Sequence, residues 1–311
     1  MANNFNFDMS MFGNQKSAFI ALVGKPNVGK SSLLNRLVGE KLAIVTDKPQ
    51  TTRTRITGVL TVDETQLVFL DTPGMHKPKN ALSKKMIESI NETVSDVDMA
   101  VLVVEPTGQL TRAEEGLIED FKARHLNAIA VLNKMDLIED KSQILEKIQL
   151  LSEKYDFNAI VPVSALTGDG IDDLMKIFME SAELGPHYFP DDTLTEQPEK
   201  VICAEIIREK ILLNMREEVP HGVAVLIESM KERADKPIMD MDAWIYCERK
   251  SHKGMIIGKG GSMLKKIASE AREEMEQFLD IKINLQCRVK VKEGWRDEEN
   301  MIRSLFPKTL S

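Results

Sequence analysis

The sequence predicts two domains of different class: an α/β domain with a mainly parallel sheet, then a smaller α+β domain. Three observations carry this. Up to about residue 182, apolar runs of strand length alternate with amphipathic stretches of helix length. A cluster of chain breakers then interrupts the pattern, and after it the order of elements changes to α-β-β-α-α-β.

In the first part the strand-like runs are Ala18–Val23, Gln66–Leu70, Met99–Val104, Ala128–Leu132 and Ala159–Val163. The helical stretches between them are Ser31–Val38, Leu82–Val94, Thr111–Ala123, Ile144–Glu153 and Ile171–Ser181. Alternation with short links implies parallel strands covered by helices on both faces. Arg55–Val62 alternates less cleanly and is read as an added antiparallel strand at an edge. Gly185, Pro186, Pro190 and Pro198 mark residues 183–200 as a linker. Beyond it the pattern gives a helix near Val201–Met215, strands near Gly222–Lys231 and Ala243–Lys250, a Gly-interrupted helical region over Lys253–Phe278 and a strand over Lys282–Val291. The expected division is therefore an N-terminal extension (1–16), a first domain (17–182), the linker (183–200) and a second domain with a C-terminal extension (201–311).

Length and charge narrow the function. The chain has 311 residues, 41 basic and 49 acidic, for a net charge of −8, which excludes a uniformly basic nucleic-acid binder. The acidity is uneven. Residues 198–311 hold 21 basic and 20 acidic side chains, and within them Arg249–Lys292 holds 11 against 5. No apolar run approaches the ~18–20 residues that cross a bilayer. The residues before Lys16 lack the basic and apolar regions of a signal peptide. Cys203, Cys247 and Cys287 are the only cysteines and read as reduced thiols rather than a disulfide framework.

The strongest motif is Gly24-Lys25-Pro26-Asn27-Val28-Gly29-Lys30-Ser31-Ser32. It fits G-x-x-x-x-G-K-[ST] and lies between a strand and a helix, the context that gives a phosphate loop its meaning. Its backbone N–H groups cradle phosphate oxygens, and the helix N-terminus adds favourable partial charge. Lys30 reaches the β- and γ-phosphates, and Ser31 offers its hydroxyl to Mg²⁺. Asn133-Lys134-Met135-Asp136 follows another strand. A carboxylate at Asp136 accepts from N1 and N2 of guanine, donors that adenine does not offer, so the site selects GTP over ATP. Asn133 and Lys134 brace the loop and cover the base. Ser164-Ala165-Leu166 supplies a backbone N–H for guanine O6. Asp71-Thr72-Pro73-Gly74-Met75 ends a strand, with Asp71 expected to hold Mg²⁺ through water and the Gly74 N–H to meet the γ-phosphate. Thr51 or Thr52 can close over the metal and the γ-phosphate when GTP is bound.

A second motif lies in the basic stretch. Met255-Ile256-Ile257-Gly258-Lys259-Gly260-Gly261 matches the I-I-G-x-x-G signature of a KH module. There the turn lets two helix ends approach a sugar-phosphate backbone. Gly258, Gly260 and Gly261 allow that approach, Lys259 meets a phosphate, and Lys265 and Lys266 extend the basic edge. Ile256 and Ile257 are expected to line the groove under the bases. The few aromatics of this domain argue against a stacking platform, and Trp295 is read as a packing anchor.

Taken together, these motifs and Pro49-Gln50-Thr51-Thr52-Arg53, Asp71–His76 and Glu293-Gly294-Trp295 resemble the Era family of bacterial GTPases over about Ser17–Phe306. The resemblance implies a Ras-like P-loop domain followed by a type II KH domain. It makes Thr52 the Mg²⁺-sensing threonine, beside Ser31 and Asp71 as metal ligands. Lys30, Thr52, Asp71 and Gly74 would then act in hydrolysis. Met75 stands where Ras-like enzymes carry a water-orienting glutamine, so slow intrinsic turnover is expected. Asn27 has two open readings, a brace for its loop or a ligand for K⁺. His221 fits a turn like that of the family.

The resemblance further implies a monomeric bacterial cytoplasmic protein. Such a protein binds the 3′ end of 16S ribosomal RNA, assists assembly of the 30S subunit, and has a peripheral association with the inner membrane. GTP would order the Thr51–Thr52 loop and the Gly74–Lys85 region and so reposition the KH domain. Two other readings use the same motifs: a signalling GTPase whose KH-like domain binds protein, and an RNA chaperone indifferent to nucleotide.

Overall fold

The structure, a computed structural model, describes residues 13–48, 51–75, 80–95, 97–140, 142–215, 219 and 222–306. Most of the N-terminal extension, Pro49, Gln50, His76 and His221 lie outside the described residues. The chain divides into two compact units. The first comprises residues 1–42, 55–76 and 89–196, and the second 43–54, 77–88 and 197–311.

The first unit is built on one sheet. Its strands are β1 (Lys16–Val23), β2 (Ile56–Val62), β3 (Thr65–Asp71), β4 (Met99–Val104), β5 (Ala128–Leu132) and β6 (Ile160–Pro162), in the order β2-β3-β1-β4-β5-β6. β1, β3, β4, β5 and β6 are parallel, and β2 runs antiparallel to β3 at the edge. The short β7 (Glu183–Leu184) adds antiparallel to the start of β1. Every residue of β4 and β5 is buried, which explains their unbroken apolar runs: helices cover both faces, leaving no polar side to alternate with. Those helices include α1 (Lys30–Val38), α3 (Arg112–Arg124), α4 (Ser142–Lys154) and α5 (Ile171–Ser181). A full capping box, with Thr111 and Glu114 bonded reciprocally, fixes the start of α3. The strand order reverses between β1 and β4, the position where an open α/β sheet leaves a crevice at its carboxyl edge.

The segment expected to be a linker is laid along the first unit as far as Glu196. Gln66 accepts from Tyr188 N and Phe189 N at 2.8 and 3.0 Å and donates to Phe189 O at 2.9 Å. Val59 N donates to Leu194 O, and the Thr195 hydroxyl to Thr57 O. Pro186 and Pro190 therefore punctuate a strap on the sheet. The breakers visible in the sequence are the same in a strap and in a free tether, and only the hydrogen bonds tell them apart.

The second unit contains α6 (Glu199–Asn214), β8 (Val223–Glu232), β9 (Ile238–Cys247), α7 (Lys250–Ile257), α8 (Ser262–Leu279), β10 (Lys282–Val291) and α9 (Glu299–Leu305). The sheet order is β10-β9-β8, antiparallel between β8 and β9 and parallel between β9 and β10. One face of the sheet packs Val225, Ala243 and Ile245 against Ile207, Ile267 and Met275 of the helices.

Another apolar cluster of this unit joins Ala224 and Trp295 to Met301 and Ile302 of α9, and to Leu82 and Met86. Those last two lie in α2 (Ala81–Ser95), whose first half belongs to the second unit and whose second half belongs to the first. Residues 43–54 are bound to this unit too. The Arg53 guanidinium donates to Val223 O at 2.6 Å and lies 5.5 Å from the centre of the Trp295 ring. Arg208, itself buried, donates to Thr51 O and to Glu205, and Glu209 accepts from Val45 N at 2.9 Å. The contiguous division read from the sequence therefore differs from the units of the structure at three places, because packing assigns these two segments and the strap.

Candidate functional site

The crevice at the carboxyl edge of the first sheet gathers the loops that carry the nucleotide motifs. The phosphate loop follows β1, Asp71 ends β3, Asn133–Asp136 follow β5, and Ser164–Leu166 follow β6. Three close approaches shape the phosphate loop. A side chain at Gly24, φ +150°, would meet Val103 O at 2.3 Å, and one at Gly29, φ +96°, would meet Asn133 Nδ2 at 2.2 Å. Glycine is required at both positions. A Cβ at Gly74 would lie 2.6 Å from the Pro26 backbone, so the Asp71–Gly74 segment rests directly on the phosphate loop. Met75 N donates to Gly24 O at 3.2 Å, and its half-buried side chain packs on the core of the unit.

Lys30 is buried at the first turn of α1, with Nζ donating to Lys25 O at 2.9 Å and Gly24 O at 3.2 Å. Burial pushes its ammonium down to about 8, against the opposing pull of the Asp71 and Glu114 carboxylates. The Ser31 hydroxyl donates to Asp71 Oδ2 at 2.6 Å. A hydroxyl and a carboxylate brought together this closely are the hard oxygen donors that suit Mg²⁺. Ser31 and Asp71 therefore fit the ion expected there.

Asn133 ties the base loop to its neighbours. Its Nδ2 donates to Val28 O at 2.8 Å, its Oδ1 accepts from Ala165 N at 3.0 Å, and its backbone N–H donates to Val104 O. Lys134 holds a left-handed backbone at φ +72°. Ser164 Oγ donates to Asp136 Oδ1 at 2.5 Å, which orients the carboxylate expected to read guanine. Ala165 and Leu166 are held by Arg36 of α1, whose guanidinium donates to both carbonyls at 3.2 and 2.6 Å. Ser32 continues α1 behind the loop, and Thr72 Oγ1 donates to Leu22 O at 2.8 Å. Asn27 takes a left-handed φ of +64° within the loop.

Two participants were outside the motifs. Arg36 lies near the end of α1 and reads as an ordinary surface cation of a helix. Glu105 follows β4 and contacts both Lys25 and Lys134. No spacing rule marks either one, since each acts on residues far away in sequence.

Thr51 and Thr52 lie in the second unit and are buried there, Thr51 donating to Lys48 O at 2.6 Å. The Gly258–Gly261 turn joins α7 to α8 in the same unit. Gly258, Gly260 and Gly261 all have positive φ, at +73°, +60° and +80°. A Cβ at Gly258 would collide with Met263 Cβ at 2.7 Å, whereas Gly260 and Gly261 face open space. Lys259, Lys265 and Lys266 are exposed or half-exposed. Ile257 is half-buried against the core, but Ile256 is wholly buried within it. The expectation that Ile256 touches bases is corrected by this burial: helical spacing turns it inward, and it supports the turn from below. Trp295 is fully buried, donating from Nε1 to Gly222 O at 3.0 Å.

Comparison with known proteins follows this division. Residues 19–134 match the family model described as 50S ribosome-binding GTPase, and residues 218–296 match that of the KH domain. The chain is 49% identical to GTPase Era of Clostridioides difficile over 289 residues, covering 93% of this chain and 97% of the relative. It is likewise 49% identical to GTPase Era of Ruminiclostridium cellulolyticum over 294 residues, covering 94% and 98%. Among solved structures it is similar to an Era in complex with MgGDPNP and nucleotides 1506–1542 of 16S ribosomal RNA, and to a point variant of Aquifex aeolicus Era bound to GDP.AlF4-. In both cases the TM-score is 0.90 at 36% identity, with 95% of this chain and all of that one covered. A guanine-nucleotide P-loop domain followed by a KH domain, matched along nearly its whole length, makes this chain a GTPase that belongs to the Era family.

Proposed function

We propose that this GTPase is a switch that binds the 3′ end of 16S ribosomal RNA through Gly258–Gly261, assists maturation of the 30S subunit in the cytoplasm, and touches the inner membrane only peripherally. The observation that carries the reading is the turn itself. Its three glycines, all with positive φ, bare the backbone between two helices, flanked by Lys259, Lys265 and Lys266. The relative crystallised with nucleotides 1506–1542 of 16S ribosomal RNA supports the choice of RNA. No helix of the described residues is long and apolar enough to cross a membrane.

In this reading the phosphate-loop amides and Lys30 bind the phosphates, and Asp136 and a backbone N–H of Ser164–Leu166 fix the base. Ser31, Asp71 and Thr52 would hold Mg²⁺, which when bound neutralises charge on the β- and γ-phosphate oxygens. The Gly74 N–H holds the γ-phosphate until it leaves. Met75 has no group with which to orient water, so intrinsic turnover is slow. Potassium beside Asn27 is the supplement that the family resemblance suggests, and turnover in KCl against NaCl tests it.

Coupling follows from which residues each segment touches. The loop that senses the γ-phosphate carries Thr51 and Arg53, and these are hydrogen-bonded to Arg208 and Val223 of the KH unit. A change in that loop is therefore a change in the KH unit's own packing, and RNA must in return favour the GTP-bound state. The test is RNA affinity with a GTP analogue and with GDP, using a short RNA of the small-subunit 3′ terminal sequence and a scrambled control. Tight, sequence-dependent binding with the analogue alone is the expected result. Equal binding in both states would favour a nucleotide-indifferent chaperone. Failure to bind RNA at any salt concentration would favour a protein-binding role for the KH unit.

A further inference from the structure

Glu105 lies just past the end of β4 and outside every nucleotide motif. Its Oε2 is 2.6 Å from Lys25 Nζ, and its Oε1 is 3.3 Å from Lys134 Nζ. Lys25 belongs to the phosphate loop and Lys134 to the base loop. The two loops hold opposite ends of a nucleotide and are far apart in sequence. The Lys25 hydrogen bond is the largest of the effects that hold the Glu105 carboxyl below the ordinary carboxylate range, and Lys134 adds to it. The group is therefore anionic at neutral pH and bound to both cations at once.

The Lys25 end of this bridge has a direct bearing on phosphate binding. The Lys25 carbonyl accepts from Lys30 Nζ at 2.9 Å, so the residue that Glu105 anchors is also one that positions the phosphate-binding ammonium. At the other end, Lys134 carries its stem from a left-handed backbone position beside Asn133. Without the carboxylate, Lys25 and Lys134 would present like charges to each other with nothing between them. Lys147, donating to Gly108 O at 2.9 Å, brings a further cation to the same region.

We infer that Glu105 is a positioning residue for nucleotide retention, a carboxylate strut that fixes the separation of the phosphate loop from the base loop. The inference rests on the assignment of these two loops as the guanine-nucleotide site. Its effect is the same on every bound state. A strut that sets the span of the site acts equally on GTP, GDP and the transition state, so it changes KM and leaves kcat alone. Both ion pairs are partly exposed, so together they account for roughly a fivefold change in affinity.

The test uses the full chain and a fluorescent GDP. Glu105→Gln is expected to speed GDP dissociation about fivefold and raise KM for GTP by the same factor, with kcat within about twofold of the parent. The thermal midpoint of the nucleotide-free protein should fall by no more than about 2–4 °C. In the Lys25→Met, Lys134→Met background, Glu105→Gln should have no further effect on dissociation. An unchanged dissociation rate in the single variant, or an equal change in the background without lysines, would overturn the strut. So would a fall in kcat at constant KM. Absence of guanine-nucleotide binding by the unaltered protein would instead overturn the assignment of the site.

Discussion

Ser31 Oγ and Asp71 Oδ2 are 2.6 Å apart, joining the first turn of α1 to the last residue of β3. The pair ties the phosphate loop to the Asp71–Gly74 segment through side chains. Asp71→Asn keeps the shape and removes the negative charge. Turnover at saturating GTP should fall on the order of 100-fold, the scale on which loss of one preorganised electrostatic group is felt. Phosphate release measured over a range of Mg²⁺ concentrations checks this, and excess metal should not restore the rate.

Specificity for the base should reverse in part at Asp136. An amide there donates an N–H where the carboxylate accepted, which fits the C2 carbonyl of xanthine and opposes the N2 amine of guanine. Asp136→Asn should weaken GDP by roughly 100-fold or more and bind XDP in preference, since a polar site mismatched to its ligand is costly. Competition of GDP and XDP against a fluorescent nucleotide reads both.

Lys30 gives the site a pH dependence with a definite sign. Its folded value of about 8 lies below the ordinary 10.5, because burial disfavours the ammonium. Between those two values the unfolded chain holds more protons, so the nucleotide-free protein gains stability from this group as pH rises through that window. Nucleotide affinity runs the other way. Phosphate restores the ammonium, so binding takes up a proton above about pH 8 and affinity falls by at most about tenfold per unit of pH. Below that pH this group contributes no slope. Titration calorimetry at about pH 8.5, inside that window, in buffers of different ionisation enthalpy should detect the proton directly.

The three glycines of the KH turn should separate fold from binding. Gly260 faces open space at φ +60°, a conformation aspartate tolerates better than most residues, so Gly260→Asp should keep the fold and abolish RNA binding by repelling phosphate. Gly258→Ala drives a Cβ to 2.7 Å from Met263 and should destabilise the second unit by about 1–3 kcal/mol as well. Circular dichroism beside RNA binding distinguishes the two outcomes.

Trp295 offers a stability test with a built-in reporter. Trp295→Phe leaves Gly222 O without its buried donor and thins the cation–π contact to Arg53. A loss of about 1–3 kcal/mol is expected. The protein's two tryptophans both lie in the second unit, so Trp244 fluorescence still follows its unfolding in urea.

The nucleotide loops were legible because each motif is contiguous and sits where a strand gives way to a helix. Gly24, Gly29 and Gly74 are required by backbone approaches that their motif already encodes. The edge strand Ile56–Val62 and the order of elements in the second unit were legible from alternation and breakers for the same local reason. Arg36, Glu105, Arg53 and Arg208 were not. Each is a charged residue with at least one partner 29 or more positions distant, and sequence alone assigns such residues to solvent. Ile256 failed differently. Two adjacent isoleucines face different ways on a helix, and the motif does not say which is inward.

The chain passes between the two units five times, at 42/43, 54/55, 76/77, 88/89 and 196/197. No single cut can therefore release an intact KH unit. A fragment beginning at residue 197 would lack Leu82 and Met86, baring the flank of Trp295, and would leave Arg208 without Thr51 as an acceptor. Such a fragment should be less soluble and less stable than the same residues in the whole protein. A protease nick in the strap would leave the two halves held together through the segments at 43–54 and 77–88. The KH unit is thus completed by pieces of chain that a truncation drawn on the sequence would throw away.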